Sequence, residues 1–359
     1  MPMDRRRETT AYLLDQCRRY PALRPQDLLK ALHQSVLGCG HLVSGEAAGV
    51  ARIQAELAGC AALEAEAAEP LDGPYCRLHL AFLKESGLSP RTLFRLFALS
   101  AEAPAGTGEA LAEKLEVLEE LARAGRLPWP WEELAPAVET FRREGFPACR
   151  HSEAFRRAYA PAYRVIRREY VWILPLLAAL DRQLAEKPRV TAALEGGSAS
   201  GKTTLAALLA RLYDCNVFHM DDFFLRPEQR TPERYAEPGG NVDRERFSAE
   251  VLQPLRRGLP VIYRPYDCQR QCLAPPVAAA PKALSIVEGA YSLHPALAEA
   301  YDLAAFLRID PALQRARIRR RNTPEAQAQF FARWIPLEQA YFQALDPMGR
   351  CDLILEVEP

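Results

Sequence analysis

The chain has 359 residues, enough for two domains, and hydrophobic and charged residues make up 49% and 26% of it. Lysine plus arginine and aspartate plus glutamate balance at 46 each, so overall charge predicts neither a nucleic-acid partner nor attraction to an anionic membrane. The charged start, 1–9, lacks the apolar core of a signal peptide, and the longest apolar run, 171–180, is too short for a membrane span. We expect a cytoplasmic globular protein, with its oligomeric state left open.

The nine cysteines are scattered, an odd number without the spacing of a disulfide framework. They predict reduced thiols, as in a cytoplasm. Cys268 and Cys272 have the spacing of half a zinc site, but no second pair at ligand spacing accompanies them, which disfavours that metal.

Residues 1–187 are predicted to form an all-helical domain. Apolar residues recur at spacings of three and four, as at Leu111, Leu115, Leu118 and Leu121. Proline and glycine mark the breaks between helices. The predicted helices include 26–37, 45–67, 108–124, 134–143 and 160–186.

Residues 188–359 have a different pattern, in which short β-type segments alternate with helices. The predicted strands are 190–194, 216–220, 284–287, 304–309 and 353–357. The predicted helices are 204–212, 244–256, 311–321 and 324–345. This alternation predicts an α/β domain with a parallel sheet and helices on both faces. The domain boundary is expected between 184 and 189.

A phosphate-binding loop is predicted between the first strand and helix of this second domain. Residues 196–203 fit the pattern G-x-x-x-x-G-K-[ST]. They are Gly196, Gly197, Ser198, Ala199, Ser200, Gly201, Lys202 and Thr203, and Thr204 completes the predicted nucleotide site. In such a loop the glycines allow a tight turn, the lysine reaches the outer phosphates and the threonine hydroxyl binds Mg²⁺. A glycine-rich turn is the alternative, but the flanking strand and helix favour a nucleoside-triphosphate site with ATP and Mg²⁺, and GTP is left open.

Two adjacent carboxylates, Asp221 and Asp222, end the strand after this helix. Ligands of parallel sheets bind beyond the carboxyl ends of the strands. One carboxylate can accept a proton from a substrate hydroxyl and the other can help with Mg²⁺ or its waters. We predict Asp221 as the base and as a metal ligand, against the alternative that both aspartates cap a turn. His219 is interpreted as a strand residue rather than a catalyst.

Glu288 and an arginine-rich helix complete the predicted chemistry. Glu288 ends an apolar strand before a glycine, where a carboxylate can hold Mg²⁺ directly or through water. The alternative is a surface ion pair. The predicted helix 311–321 carries five arginines: Arg315, Arg317, Arg319, Arg320 and Arg321. They form either a lid over the phosphates or a solvated basic surface.

These segments resemble the uridine kinase/phosphoribulokinase-like branch of the P-loop kinases, which includes nicotinamide riboside kinases. The resemblance covers about 189–357. It implies that Asp221, the first residue of Asp-Asp-Phe-Phe, is the general base, with Asp222 and Phe223 beside the substrate.

The same resemblance implies further substrate contacts. Asp243, in Asn-Val-Asp, would bind ribose hydroxyls, and Tyr266, in Arg-Pro-Tyr-Asp, would line a base pocket followed by Arg270. Arg317 and Arg321 fit the lid arginines best. The family's histidine after Tyr-Asp is missing, and the Asn-Val-Asp segment lacks the phenylalanine and the following proline, which leaves the acceptor open.

The sequence therefore predicts a kinase that transfers the γ-phosphate of ATP to a hydroxyl of a small nucleoside-like acceptor, similar to uridine/cytidine kinases. The alternatives are a nucleotide-dependent switch or regulatory ATP-binding protein acting through the helical domain, and a regulator with a degenerate kinase fold. No Asn-Lys-x-Asp or Ser-Gly-Gly-Gln signature supports a GTPase or a transporter ATPase. The helical domain could complete the substrate pocket, regulate the kinase or bind a partner.

Overall fold

The computed structural model describes residues 1, 3–62, 66–102 and 104–358. The chain divides into two compact units, Met1–Val171 and Trp172–Pro359. Among the described residues, no helix combines the length and apolar character needed to cross a bilayer.

The first unit is mainly helical. Its helices are α1 (Met3–Arg19), α2 (Pro25–Leu37), α3 (Glu46–Ala58), α4 (Ala81–Ser86), α5 (Pro90–Ala101), α6 (Gly108–Arg123), α7 (Trp131–Arg143) and α8 (Glu153–Tyr159). The apolar spacing predicted for α6 is confirmed, because Leu111, Leu115, Leu118 and Leu121 are all buried in one core with leucines of α1 and α2.

The first unit also contains a small sheet that the sequence did not predict. Its antiparallel strands are β1 (Ala68–Pro70), β2 (Tyr75–His79) and β3 (Tyr163–Arg167), in the order β1-β2-β3. The expectation of an all-helical domain is therefore corrected to helices around a three-stranded sheet. These strands are short and rich in polar residues, and pairing between distant segments stabilises them where local sequence gives little signal.

The second unit contains the predicted parallel sheet. Its strands are β4 (Val190–Gly196), β5 (Cys215–His219), β10 (Leu284–Glu288), β11 (Leu303–Arg308) and β12 (Leu353–Glu356), in the order β12-β11-β4-β10-β5. All pairs are parallel. The five predicted strands and the α/β fold class are confirmed. The central strands β4, β10 and β11 are buried along nearly their whole length, so they are short, mainly apolar runs in the sequence.

Helices and short hairpin strands surround this sheet. The helices are α9 (Leu174–Glu186), α10 (Lys202–Leu212), α11 (Pro232–Ala236), α12 (Arg244–Phe247), α13 (Gln253–Arg257), α14 (Pro295–Ala298), α15 (Pro311–Arg321), α16 (Pro324–Gln329) and α17 (Ile335–Leu345). The short strands are β6 (Val261–Tyr263), β7 (Tyr266–Asp267), β8 (Cys272–Leu273) and β9 (Val277–Ala279). The predicted helices 244–256 and 324–345 each contain a π-helical segment, Ser248–Leu252 and Phe330–Trp334.

Helix α9 belongs to the second unit, so the units divide before α9, whereas the sequence placed the domain boundary after it. The predicted helix 160–186 is instead strand β3, a 3₁₀ segment and α9. Leu174, Leu176, Leu177 and Leu180 are buried, and α9 packs against β4 and β11 of the parallel sheet. An apolar helix face of this kind is stable only when it covers such a surface.

The carboxyl ends of three neighbouring strands meet at one edge of the sheet. Glu288, the last residue of β10, is in register with Leu194 of β4 and with His219, the last residue of β5. The loop after β4, the turn after β5 and Glu288 therefore lie side by side, where ligands of open α/β sheets bind.

Candidate active site

The loop between β4 and α10 has the tight backbone that its two end glycines permit. Gly196 has φ +148° and Gly201 has φ +98°, values that residues with side chains rarely adopt. A Cβ on Gly196 would lie 2.7 Å from the carbonyl oxygen of Leu307. Helix α10 begins at Lys202, directly after Gly201, so the loop ends at a helix N-terminus that favours anions.

Lys202 lies folded back on this loop. Its ammonium donates to the carbonyl oxygens of Gly196 at 2.8 Å and Gly197 at 2.9 Å, and its side chain is buried. Ser200 is also buried, and its hydroxyl has no partner among the described residues, whereas Thr203 and Thr204 are exposed. The loop thus gathers an ammonium, a hydroxyl and a helix N-terminus around one small region.

Glu288 links the loop to the neighbouring strand. Its Oε1 accepts hydrogen bonds from the Thr203 hydroxyl at 2.9 Å and from His219 Nδ1 at 2.6 Å. Burial alone would raise the pKa of Glu288, but the His219 hydrogen bond and the charge of Lys202 outweigh it and the pKa is lowered. The bond to Glu288 raises the pKa of His219, against the effect of burial. His219 ends β5, as its interpretation as a strand residue implies, and it also holds the Glu288 carboxylate.

The two aspartates after β5 have different surroundings. Both lie in the 3₁₀ turn Met220–Phe223. Asp222 accepts a hydrogen bond from the Tyr263 hydroxyl at 2.8 Å. Asp221 is solvent-accessible and forms no hydrogen bond or ion pair within the described part of the chain. The protein that surrounds Asp221 in this concave edge raises the pKa of its carboxyl, and the charge of Lys202 opposes that effect. Asp221 is thus the carboxylate of the pair that remains open to a ligand.

The residues predicted to bind the acceptor lie in different surroundings, and two of them are buried. Phe223 is completely buried and packs on Phe247 and Tyr263, so in this structure it belongs to the core. Asp243 is buried too, where it caps α12 through the backbone N–H of Arg246 at 3.1 Å. In this structure both side chains are therefore engaged with neighbouring residues of the protein and are buried from solvent.

Tyr266 and Arg270 lie on the hairpin β7–β8. The buried Tyr266 hydroxyl accepts from Arg230 at 2.7 Å and donates to Gln271 at 3.0 Å. Arg270 leaves 81% of its side chain exposed and pairs with Asp267 at 3.7 Å. In this conformation the structure does not bring Arg270 to the phosphate-binding loop.

Among the described residues, one arginine of helix α15 forms a hydrogen bond with the loop. Arg317 donates to the carbonyl of Ala199 at 3.5 Å and to that of Glu358 at 2.7 Å. Arg315 and Arg319 stack on the ring of Phe331, and Arg321 on that of Phe330. A lid role for these arginines would therefore require them to leave their aromatic partners.

Sequence reasoning missed Glu338, which contacts the phosphate-binding loop directly. This buried residue of α17 accepts from the backbone N–H of Ser198 at 3.0 and 3.1 Å and from its hydroxyl. Gln314 of α15 donates to the Ser198 carbonyl at 2.9 Å. Burial raises the pKa of Glu338, against the Ser198 hydrogen bonds. The available signal was one acidic residue inside the mainly apolar segment Ile-Pro-Leu-Glu-Gln-Ala-Tyr.

Glu195 is a second missed carboxylate, and it is completely buried at the end of β4. It accepts hydrogen bonds from the backbone N–H groups of Gly196, Tyr291 and Leu293 at 2.9–3.1 Å, and from the Tyr341 hydroxyl at 3.0 Å. Burial raises its pKa to about 7, against these donors. The sequence signal for Glu195 was an acidic residue at the end of an apolar strand. Through these hydrogen bonds the carboxylate joins the phosphate-binding loop to the segment after β10 and to α17.

An aromatic wall forms where the π-helical segment Phe330–Trp334 approaches the turn after β5. Trp334 lies 6.0 Å from Phe224 between ring centroids, and Arg333 stacks on both Trp334 and Tyr235. π-Helical turns are frequent at functional sites. This wall offers flat surfaces and one cation beside the open carboxylate.

The oxygen atoms around the loop fit a magnesium ion only in part. In the part of the chain that the structure describes, no three His, Cys, Asp or Glu side chains form a complete metal site. Thr203 and Glu288 do place hard oxygen atoms together, and Asp221 lies close enough to Glu288 for each charge to affect the other. Mg²⁺ commonly takes one or two protein oxygens and fills its shell with phosphate and water, so these residues fit that mode.

Comparisons with known proteins find similarity in structure. No protein-family model and no curated protein matches the chain. A protein from Bacillus stearothermophilus named as a possible uridine kinase matches 51% of this chain and 100% of its own, with 20% identity and a TM-score of 0.38. A fructose transport system kinase, so named, from Silicibacter sp. TM1040 matches 49% and 97%, with 27% identity and a TM-score of 0.41. Shikimate kinase from Bacteroides thetaiotaomicron matches 47% and 86%, with 17% identity and a TM-score of 0.24.

Proposed function

We propose that the second unit, extending from α9 to the C-terminus, is an ATP-dependent kinase that phosphorylates a hydroxyl of a small molecule. One observation carries the proposal: the accessible carboxylate of Asp221 lies at the same sheet edge as the phosphate-binding loop and the Thr203–Glu288 pair. A triphosphate site alone is compatible with many functions. An ionisable group beside it without a structural partner is what transfer to an acceptor requires.

The loop would bind the triphosphate of the donor. Its backbone N–H groups and the α10 N-terminus favour anions, and Lys202 would exchange the two carbonyl oxygens it now contacts for phosphate oxygens. Thr203, Glu288 and Asp221 would hold Mg²⁺, which neutralises the charge of the transferring group when bound. Arg317 and Arg321 are proposed to add positive charge on closure of α15.

Asp221 would act on the acceptor. Its carboxylate accepts the proton of the attacking hydroxyl, whose oxygen forms a bond to the γ-phosphorus while the bond from that phosphorus to the ADP oxygen breaks. The products are ADP and a phosphate ester, and the proton stays on Asp221. Asp222, held by Tyr263, would keep the turn in place. Most of the catalysis in this class of reaction comes from positioning and electrostatics.

The acceptor we propose is nucleoside-like. Support comes from the flat wall of Phe224, Trp334 and Tyr235 beside Asp221, since aromatic rings stack on planar bases. Asp243, Tyr266 and Arg270 remain proposals as direct contacts, because in this structure two are engaged in structural bonds and the third is exposed.

A panel of acceptors tests this function. Nucleosides, sugars and other polyols are incubated with ATP, Mg²⁺ and the full chain, and ADP release is measured with and without each acceptor. We expect at least one nucleoside to raise ADP release well above the rate in water. If only sugars raise it, the nucleoside assignment is wrong, and if no acceptor raises it, the kinase assignment is wrong.

A further inference from the structure

The first unit contains a cavity with aromatic walls, of about 510 Å³. Tyr20, Phe155, Tyr159 and Tyr163 line it, together with small residues that include Ala160 and Pro161. Ligand sites for small molecules have volumes of roughly 300–1,000 Å³ and are mostly apolar with a few placed polar groups. The cavity is therefore large enough for one planar ring system.

The lining of this cavity carries a buried cation with hydrogen-bonding capacity to spare. Arg77 is 2% exposed, and its guanidinium donates to Gln34 Oε1 from Nε at 3.0 Å and from Nη2 at 2.9 Å. Its contact with the buried carboxylate of Glu69 is long, at 3.4 Å. A guanidinium has five N–H donors, so the described contacts leave donors unused. Arg77 and Glu69 together offer a donor and an acceptor to the polar edge of a ring.

A second cavity, of about 560 Å³, adjoins the first, since Ala160 and Pro161 line both. Its lining includes the cations Lys30, Arg150 and Arg156. No carboxylate forms an ion pair with any of the three within the described residues, and the ammonium of Lys30 donates to the backbone carbonyl of Cys149 at 2.8 Å. Three cations that no described carboxylate neutralises, around one concave surface, favour an anion.

Hydrogen bonds and ring stacking fix the side chains that separate the two cavities. His151 lines the cationic cavity, its Nε2 lies 2.6 Å from the hydroxyl of Tyr163 in the aromatic cavity, and its Nδ1 lies 2.9 Å from Asp27. The ring of Phe155 stacks on His151 at 4.3 Å between centroids. A site held this way by hydrogen bonds and stacking is preformed, which reduces the ordering cost of binding.

We propose that the first unit binds a small molecule that joins a planar ring to an anionic group of phosphate type. The ring would occupy the aromatic cavity beside Arg77 and the anion would bind Arg150, Arg156 and Lys30. This site is independent of the phosphate-binding loop, because every residue that forms it belongs to the first unit. A nucleoside monophosphate has the required chemistry.

Calorimetric titration of the full chain tests the site, with Lys202→Ala included in every variant to weaken binding at the loop. The probes are AMP, adenosine and inorganic phosphate. Arg150→Ala/Arg156→Ala removes two of the cations. The matched control is Arg157→Ala, because Arg157 is adjacent on α8, pairs with Glu153 and lines neither cavity. Hydrogen–deuterium exchange with AMP locates the binding.

We expect AMP to bind at least about tenfold more tightly than either fragment, and to protect amides near 150–163 from exchange. The double variant should weaken AMP binding about tenfold or more, whereas Arg157→Ala should leave it unchanged. The proposal is overturned by absence of saturable AMP binding, by equal binding in the double variant, or by protection confined to the second unit. None of these readouts uses phosphoryl transfer, so they do not depend on the kinase proposal.

Discussion

Asp221 and Asp222 are adjacent in sequence, yet their environments assign them different tasks. Tyr263 holds Asp222, whereas Asp221 is accessible and has no partner among the described residues. The protein around this accessible side chain displaces part of its hydration, which raises the pKa of Asp221 from its ordinary value of 3.8, against the charge of Lys202. A carboxyl must be ionised to accept a proton, so the proposed reaction should become slower at pH values below this pKa.

The pH dependence of kcat/KM, which reports the groups of the free enzyme, should therefore show this carboxyl. At subsaturating ATP and acceptor, kcat/KM should fall about tenfold per pH unit below the pKa of Asp221, and the midpoint should lie above 3.8. Asp214→Asn is the control, because Asp214 precedes the opposite end of β5 and its side chain is 87% exposed. A midpoint at or below the ordinary aspartate value would contradict the role of Asp221.

Glu195 is predicted to stabilise the fold rather than take part in the chemistry. At pH 8, above its pKa of about 7, the carboxylate accepts bonds from three backbone N–H groups and the Tyr341 hydroxyl. Glu195→Gln turns an NH₂ toward some of these donors, which should lower the free energy of unfolding by about 2 kcal/mol. Urea denaturation measures this loss. The exposed pair Arg308–Glu356 provides the control, since Glu356→Gln should lower the free energy of unfolding by less than about 1 kcal/mol. An equal loss in both variants would contradict the prediction.

At the scale of secondary-structure elements, α17 positions the phosphate-binding loop through Glu338. One oxygen, Oε1, accepts from both the N–H and the hydroxyl of Ser198. Glu338→Gln keeps an oxygen for these bonds, so KM for ATP should stay within about threefold of the wild-type value. Glu338→Ala removes the anchor and should raise KM for ATP about tenfold, the effect of one hydrogen bond to a charged group. If the glutamine variant loses as much affinity as the alanine variant, the charge of Glu338 matters rather than its position.

Elements differ in how far the sequence predicts them. The five parallel strands were predicted because the central strands β4, β10 and β11 are buried along nearly their whole length and are mainly apolar, and the edge strands β5 and β12 still contain short apolar runs. The strands β1–β3 were not, because β1 is Ala-Glu-Pro and β2 contains a buried arginine, Arg77, whose partners Gln34 and Glu69 come from elsewhere in the chain. Pairing with distant residues leaves no periodic signal near the strand itself.

In the candidate site too, the sequence predicted residues that are fixed by local spacing and missed residues that come from distant segments. The spacing of glycines, lysine and strand-end acids predicted the loop, Asp221 and Glu288, because each needs a fixed place along one strand and its loop. Glu338 escaped prediction because Ser198 is distant in sequence and only folding brings α17 to the loop. Phe223 and Asp243 were predicted as ligand contacts from resemblance, but they pack against their own neighbours in this structure.

At the scale of the whole molecule, the second unit contains every residue of the proposed kinase site, and α9 is part of that unit. A fragment of residues 172–359 should therefore fold and bind ATP with a Kd within about threefold of the full chain. A fragment of residues 188–359 lacks α9 and loses four buried leucines, each worth about 1.5–3 kcal/mol, so it should aggregate or melt far earlier. Thermal denaturation and ATP titration of both fragments measure this, and equal stability would contradict the assignment of α9.

The most direct test of the central claim follows the γ-phosphate to its acceptor. Wild-type protein and Asp221→Asn are incubated at pH 8 with ATP, Mg²⁺ and the best nucleoside of the panel, and the phosphate ester is quantified by mass spectrometry. We predict that wild-type protein forms the ester, whereas Asp221→Asn, at saturating ATP and Mg²⁺, forms it at least about 100-fold more slowly. Full transfer by the variant, or ADP formation by the wild type without any phosphorylated acceptor, would contradict the proposed reaction.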